Sequence, residues 1–189
     1  LEEKYRLTRN ILETLLNHQN PISILTKSDL VLRDLDLLKR LPDLDVNFTI
    51  NTFDEDWKKL VEPDSPSIQV RLQAIHRLTE AGITVYVMMG PYWPYFTKPE
   101  IMLPRFKELD VKALFTESFN TTGGNWTGVE EVLKQNYPKL IDPMREIFFN
   151  KEKFNKFYTE TEKELKRLAE RYQLPTTIYF GLGHAGKFK

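Results

Sequence analysis

Polar side chains follow the predicted strands at the points where those strands end. Lys27 stands between Thr26 and Ser28 after a short apolar run, and Glu117 and Ser118 follow another such run. Binding and catalytic groups gather at the carboxyl ends of parallel strands. Here a lysine can bind a carboxylate or a phosphate, or act as a base or Schiff-base amine once it is desolvated. The alternative for Lys27 is a solvated loop lysine.

The segment 45–52 alternates strictly between apolar and polar residues, which predicts a strand with one polar face. The apolar positions are Val46, Phe48 and Ile50, and the polar positions are Asn47, Thr49 and Asn51. Strands covered on both faces normally read as continuous apolar runs, so this polar row needs water, a ligand or a polar lumen. An exposed edge strand is the alternative. A register shift by one residue would exchange the two faces.

Two other patterns carry no function. Gly181, Gly183 and Gly186 spell G-x-G-x-x-G after a strand, but the sequence leaves no room for the helix that would receive a phosphate. His18, His76 and His184 are too scattered to form a local metal motif. We therefore predict a plain glycine-rich tail, structural histidines and no metal site in this chain.

The elements that position the strand ends follow from hydrophobic periodicity and capping residues. We predict helices at residues 2–18, 30–41, 54–60, 67–81 and 100–109, and a long amphipathic stripe from Phe154 to Tyr172. We predict strands at residues 22–25, 45–52, 83–89, 111–118 and 176–180. This alternation predicts parallel strands joined by helical crossovers, hence an α/β fold. A full eight-fold barrel needs roughly 250 residues, so we expect a partial (β/α) barrel with outer helices, its first strands missing, a C-terminal helical extension and a last short strand.

Composition narrows the classes of function. The 189 residues include 27 Lys and Arg against 27 Asp and Glu, so no bulk positive field attracts nucleic acid or anionic lipid. Cysteine is absent, which excludes disulfides, zinc–thiolate sites and an iron–sulfur cluster held by this stretch of chain. No apolar run approaches the roughly 20 residues that a bilayer requires. We expect a soluble, cytoplasmic protein without membrane contact.

Glu62 and Arg71 flank a proline-rich turn. The turn leads into a predicted helix whose N-cap residue is Ser67. An ion pair across this turn would fix the loop without any substrate. Ion pairs of this structural kind are commoner than catalytic ones. We therefore predict a structural role for this pair.

An ordered set of short motifs resembles one known family. These motifs are SILTKS at residues 23–28, VLRDLDLL at 31–38, FTIN at 48–51, LVEPDSPSIQVR at 60–71, LTEAGI at 78–83 and ESFN at 117–120. Their order and spacing resemble the radical S-adenosylmethionine proteins related to spore photoproduct lyase, often described as DNA-repair photolyase-like. The resemblance is close over residues 1–124, the central part of such a barrel. It is loose over residues 125–189, which we assign to a C-terminal helical portion of the same domain.

The resemblance implies a partial barrel in which a CxxxCxxC loop holds a [4Fe–4S] cluster. The cluster and S-adenosylmethionine together generate a 5′-deoxyadenosyl radical that abstracts hydrogen from the substrate. It further implies that Lys27 and Thr49 face S-adenosylmethionine, where relatives usually carry serine at the second position. Asn51, Glu117 and Asn120 match polar family positions and are expected to contact the cofactor or substrate. The cysteine loop itself is missing here, so we expect its ligands upstream of Leu1.

Two hypotheses of function follow. In the first, the chain is a fragment of a lyase-like radical S-adenosylmethionine enzyme, inactive alone, with cofactors only in a longer parent. That parent's substrate, a nucleic acid or a protein, stays open. In the second, it is a cysteine-free α/β protein that binds a small anionic ligand or a partner without redox chemistry. An unpaired edge strand would also favour self-association of the fragment.

Overall fold

The computed structural model describes residues 2–18 and 20–181, and the strands in these ranges form one parallel sheet in the order β1-β2-β3-β4-β5. The strands are β1 (Ile22–Thr26), β2 (Leu44–Thr49), β3 (Thr84–Met88), β4 (Ala113–Glu117) and β5 (Thr176–Tyr179). The helices are α1 (Glu2–Tyr5), α2 (Leu7–Leu15), α3 (Leu35–Leu38), α4 (Glu55–Val61), α5 (Ile68–Glu80), α6 (Pro99–Glu108), α7 (Asn125–Asn136), α8 (Ile141–Phe149) and α9 (Lys151–Tyr172). The segment beyond Gly181, with the remaining glycines of the G-x-G-x-x-G pattern and His184, lies outside the described residues.

The two faces of the sheet differ in burial. One face is fully covered, and its side chains include Val46, Phe48, Val85, Val87 and Leu114. The opposite face is more open, with Leu25 at 65% and Tyr179 at 54% exposure. Strands in sequence order with helices packed on one face are the arrangement of a barrel segment, so the prediction of a partial α/β barrel is confirmed.

Local capping chemistry sets the start of the helices beside the sheet. Asp54 accepts a hydrogen bond from the Trp57 amide at 2.9 Å, and Ser67 accepts one from the Val70 amide at 3.3 Å. After α5 the chain turns at Gly82, whose φ of 81° suits glycine. These three positions confirm the predicted helix boundaries.

The prediction of one continuous helix over residues 2–18 is wrong, because the structure has two helices there. Arg6 adopts the left-handed conformation and separates α1 from α2. The Glu2 carboxylate accepts a hydrogen bond from the Thr8 amide at 3.0 Å, and Arg33 donates to the same carboxylate at 2.7 Å. These bonds fold the first turn back onto the segment after β1, which an uninterrupted helix would not allow.

Two further predicted boundaries are corrected. The helix predicted at residues 30–41 is a 3₁₀ helix over Asp29–Asp34 followed by the single turn of α3, because Ser28 caps the tight turn through the Leu30 amide. The strand predicted to reach residue 52 ends at Thr49. Beyond that point Thr52 donates to the carbonyl of Phe96 at 2.7 Å, which directs the chain away from the strand ladder.

A buried arginine joins the end of β2 to the loop that precedes α5. Arg71 is 1% exposed and donates to the carbonyl of Thr49 at 2.9 Å and to that of Pro66 at 3.0 Å. It also pairs with the Glu62 carboxylate at 2.7 Å and bonds the Ser65 hydroxyl. The predicted Glu62–Arg71 pair is therefore confirmed, and it holds the strand end as well as the loop.

A second charged cluster fixes the N-terminal helices. Arg9 donates to Asp36 at 2.8 and 2.9 Å, and both Arg9 and Arg33 donate to the buried Asp34. These hydrogen bonds from Arg9 lower the pKa of Asp36 to about 2. Burial alone would raise the pKa of Asp34, but the bonds from the two arginines outweigh it and lower that pKa.

Across residues 2–18 and 20–181, no helix has both the length and the apolar character needed to cross a bilayer.

We predict that Arg71→Ala lowers the free energy of unfolding by about 3–5 kcal/mol, because the change removes the closely bonded cation of the partly buried Glu62 carboxylate. Urea unfolding followed by circular dichroism measures the change. Arg77→Ala is the matched control, since Arg77 is an exposed arginine on the same helix. Equal losses in the two variants would contradict the anchoring role of Arg71.

We also predict that the Arg9–Asp36 contact stabilises the fold less as the pH falls. The folded pKa lies below the ordinary value of 3.8, so the stabilisation is complete above that value and is lost as the pH falls through about 2. The stability of Asp36→Asn should therefore fall less steeply than that of the parent chain between about pH 4 and about pH 2.

Urea midpoints measured across this pH range test that prediction, with the exposed Asp64→Asn as control. Because Asp36 is an exposed carboxyl, the difference should shrink in high salt. Parallel pH profiles for Asp36→Asn and the parent chain would refute it.

Candidate functional site

The predicted polar row of β2 lies on the open face of the sheet. Asn47 pairs across the sheet with Leu25 and Tyr86, which are an exposed and a half-buried residue, whereas Val46 and Phe48 are fully buried under the helices. The register therefore places Thr49 on the same open side as Asn47 at the carboxyl end of the strand, and Asn51 follows two residues beyond that end.

Asn47 has local partners that account for its polarity. Its amide donates to the Ser23 hydroxyl at 2.9 Å and to the Asp45 carboxylate at 2.6 Å, and Ser23 donates to Asp45 at 2.7 Å. These three side chains satisfy one another toward the amino ends of β1 and β2. The polar groups that a ligand could bind are therefore those at the carboxyl ends of the strands.

Lys27 and Asn51 meet at the carboxylate of Glu62. The Asn51 amide donates to Glu62 Oε1 at 3.3 Å and to the carbonyl of Gly90 at 3.4 Å. Lys27 Nζ lies 3.8 Å from the same Glu62 oxygen, a loose contact on a side chain that is 44% exposed. Arg71 binds the other oxygen of this carboxylate. Glu62 is thus shared between a firmly held arginine and a loosely held lysine.

The positive charges near this carboxylate outnumber the negative ones. Lys58 is 3% exposed, and its ammonium group donates to the carbonyl of Ser65. No carboxylate of a described residue lies within ion-pair distance of Lys58. Lys27 and Arg71 therefore share the Glu62 carboxylate, while Lys58 is buried nearby with a carbonyl as its partner. A cluster with this excess of buried positive charge favours an anionic ligand at its exposed cation, Lys27.

Thr49 offers a free hydroxyl beside this cluster. Its carbonyl accepts the bond from Arg71, and its side chain is 5% exposed. Within the described part of the chain the Thr49 hydroxyl has no hydrogen-bond partner, so it can bond to a ligand.

Glu117 lies at the end of β4 and packs closely against Gly90. A Cβ atom at Gly90 would lie 3.0 Å from Glu117 Cγ and from Met88 Cε, so a side chain here would force these two groups to shift. Among the described residues the Glu117 carboxylate has neither a hydrogen bond nor an ion pair. It is therefore free to accept bonds from a ligand.

Asn120 is held in a turn. Its side-chain oxygen accepts bonds from the amide of Thr122 at 2.9 Å and from the Thr122 hydroxyl at 2.6 Å, the geometry of an Asx turn. This side chain shapes the loop before α7, and only its NH₂ group has no described partner. Its expected contact with cofactor or substrate stays a prediction.

An open cleft of about 450 Å³ borders the strand ends between α4 and α7. Lys27, Asn51 and Glu62 line its polar side. The rings of Trp93 and Phe119, with centroids 4.7 Å apart, line an aromatic side. Thr49, Glu117 and Asn120 do not line this cleft, so the structure brings two of the five predicted site residues directly into it.

The wall of the cleft that α7 contributes was not predicted from the sequence. It consists of Asn125, Gly128, Val129 and Val132, whose spacing places them on one helical face. Phe119 was also missed, because an apolar residue after a strand gives no sign of facing a cleft. Glu62 was assigned only to the loop. The available sequence signal was the position of this acidic residue between an apolar helix end and a proline.

The donor set of the chain does not suit an iron–sulfur cluster. The sequence holds no cysteine, and in the part of the chain that the structure describes no three His, Asp or Glu side chains are grouped as for a metal ion. The polar groups at the strand ends suit an organic ligand with an anionic group.

Comparison with known proteins gives related sequences and folds. Residues 1–103 match the family model described as the radical SAM superfamily. An uncharacterised protein of Methanocaldococcus jannaschii is 35% identical over 167 residues, which cover 88% of this chain and 61% of that protein. An uncharacterised protein of Acidianus two-tailed virus is 28% identical over 141 residues, 70% of this chain and 47% of its own. The chain thus spans about half to three fifths of the length of these relatives.

Solved structures share the fold. Spore photoproduct lyase complexed with dinucleoside spore photoproduct superposes with a TM-score of 0.64 at 18% identity, over 95% of this chain and 57% of that one. Streptococcus suis SuiB bound to S-adenosylmethionine superposes with a TM-score of 0.58 at 8% identity, over 92% and 34% of the respective chains. At these identities the likeness concerns the fold alone. The family model covers more than half of the sequence, and on that ground the chain belongs to the radical SAM superfamily.

Proposed function

We propose that this chain is the S-adenosylmethionine-binding part of a lyase-like, repair-type radical SAM enzyme. The observation that carries the proposal is the cluster of Lys27, Asn51 and Glu62 at neighbouring strand ends, with its excess of buried positive charge. S-adenosylmethionine combines a carboxylate with an amino group, hydroxyl groups and a flat base. The site offers complementary groups for each of these parts.

Lys27 is the group that would hold the carboxylate. Its ammonium is exposed enough to leave Glu62, and Arg71 already balances the charge of that carboxylate. The Thr49 hydroxyl and the Asn51 amide would orient the ligand from the next strand end, with the Glu117 carboxylate accepting bonds from hydroxyl or amino groups. Asn120 would contribute only through its remaining NH₂ group.

The iron–sulfur cluster does not fit the residues present, because a cluster needs thiolate ligands and this sequence has none. We therefore assign its ligands to polypeptide outside these 189 residues. The length of the relatives supports this assignment, since the matched region is 61% of the Methanocaldococcus jannaschii protein. In the superfamily, S-adenosylmethionine supplies a radical that abstracts hydrogen once such a cluster has reduced it. On this proposal the chain binds the cofactor but is catalytically silent alone.

We predict that Lys27→Ala weakens S-adenosylmethionine binding roughly 10- to 100-fold, since a charge-assisted hydrogen bond contributes about 1.5–3 kcal/mol. Thr49→Val should weaken it less, because it removes one neutral hydrogen bond and keeps the shape of the side chain. Isothermal titration calorimetry measures both affinities. Lys59→Ala is the matched control, since Lys59 is exposed on α4 and does not line the cleft.

Equal affinity in Lys27→Ala and the parent chain would refute the assignment of Lys27. Binding of several unrelated small anions as tightly as S-adenosylmethionine would instead favour the second hypothesis, an anion-binding protein without redox chemistry.

We further predict that anaerobic reconstitution with iron and sulfide gives no charge-transfer absorbance on this chain, because it lacks thiolates. A longer form of the protein that includes a CxxxCxxC loop should acquire the absorbance under the same conditions. Absorbance from the 189-residue chain alone would show that the cluster has other ligands and would overturn this part of the proposal.

A further inference from the structure

One glycine on the α7 wall of the cleft has no structural reason to be glycine. Gly128 is an exposed residue in the first turn of the helix Asn125–Asn136, where glycine is a poorer helix former than alanine. A Cβ atom built on Gly128 would meet no atom within 4 Å. By contrast, Gly82, Gly123 and Gly124 all have positive φ angles that favour glycine. Neither backbone conformation nor packing therefore requires glycine at position 128.

The space beside Gly128 belongs to the cleft. Gly128 and Val129 line one wall, and the rings of Trp93 and Phe119 line the aromatic side. We call the space between these four residues the slot. A helical side chain leans toward the N-terminal turn of its own helix, which here carries Asn125, another residue of the cleft. A large side chain at position 128 would therefore narrow the mouth of the slot.

The residues that line the cleft are of two chemical kinds. The slot is lined by apolar and aromatic residues, whereas Lys27, Asn51 and Glu62 contribute polar and charged groups to the same cleft. A ligand that complements both kinds of residue has an anionic group joined to a flat, largely apolar body. Aromatic rings favour such bodies through stacked or edge contacts.

We propose that Gly128 is a specificity-determining residue that keeps the slot open for the flat body of the ligand whose anionic end Lys27 holds. The proposal rests on the proposed function for the identity of that ligand. Gly128 acts through the space it leaves empty, and it selects for the size of the group that enters the slot.

Two probes separate the slot from the anionic end. S-adenosylmethionine has both parts, whereas 5′-methylthioadenosine has the flat body without the carboxylate. Gly128→Leu should weaken binding of both probes roughly 5- to 100-fold, because the added side chain and the flat body of the ligand would compete for the same space. Lys27→Ala should weaken binding of S-adenosylmethionine alone. Isothermal titration calorimetry on the full 189-residue chain measures all four affinities.

Stability gives an independent readout. Gly128→Ala should raise the Tm by roughly 2–4 °C, since alanine is the better helix former. It should not strengthen binding of either probe. Thr127→Leu is the matched control, because Thr127 is an exposed neighbour that does not line the cleft. It should leave both affinities unchanged.

The outcomes distinguish the two proposals. If Lys27→Ala weakens S-adenosylmethionine binding but Gly128→Leu leaves both probes unaffected, the role of Gly128 is overturned and the proposed function stands. If Gly128→Leu weakens both probes but Lys27→Ala changes neither, the slot stands and the assignment of the anionic end fails. A parent chain that binds neither probe contradicts both proposals.

Discussion

The candidate site depends on the burial of a single guanidinium group. Arg71 is almost fully enclosed, and burying a charge is costly unless its donors and its counter-charge are all matched. Its partners come from the end of β2, from the loop after α4 and from Glu62. Because these partners lie on the strand end and on the loop, satisfying the hydrogen bonds of one side chain fixes the loop against the strand end. The fold thereby determines where the Glu62 carboxylate points.

The Glu62 oxygen that Arg71 does not bind, Oε1, faces the ligand-binding side. Asn51 is bonded to it, while Lys27 remains at the edge of ion-pair distance. A carboxylate already neutralised by a buried arginine holds a second cation weakly, so Lys27 can exchange this contact for one with an anion. Lys58, buried beside the same loop, adds to the positive potential without reaching the cleft. Binding of an anion is thus favoured by residues that do not touch it.

Sequence reasoning succeeded where the deciding interactions are local. Strict alternation in the segment 45–52 gave the correct face for Thr49, and the caps at Asp54 and Ser67 gave the correct helix starts. It failed where distant residues decide. The break at Arg6 arises from bonds that Arg33 makes to Glu2 across 31 positions.

The cleft shows the same limit of sequence-based prediction. Its wall brings α7 against the end of α4 and the loop after β3, and no pattern within α7 reveals those neighbours. Asn120 is the converse case, since a turn from Asn120 to Thr122 is a local feature that the sequence alone could have indicated. Family motifs located the strand ends, but the charges that surround them emerged only from the structure.

The order of the strands also bears on how the sheet forms. Each strand pairs with the strand that follows it in the chain, so each pairing encloses only the helices between two consecutive strands. β4 and β5 are the exception in length, because three helices separate them. Parallel pairing requires long crossover connections, and the entropy cost of closing a loop rises with its length. The pairing of β4 with β5 therefore carries the largest loop-closure cost among the described strand pairs, whereas the Lys27–Glu62 region depends only on β1, β2 and the segment that follows β2.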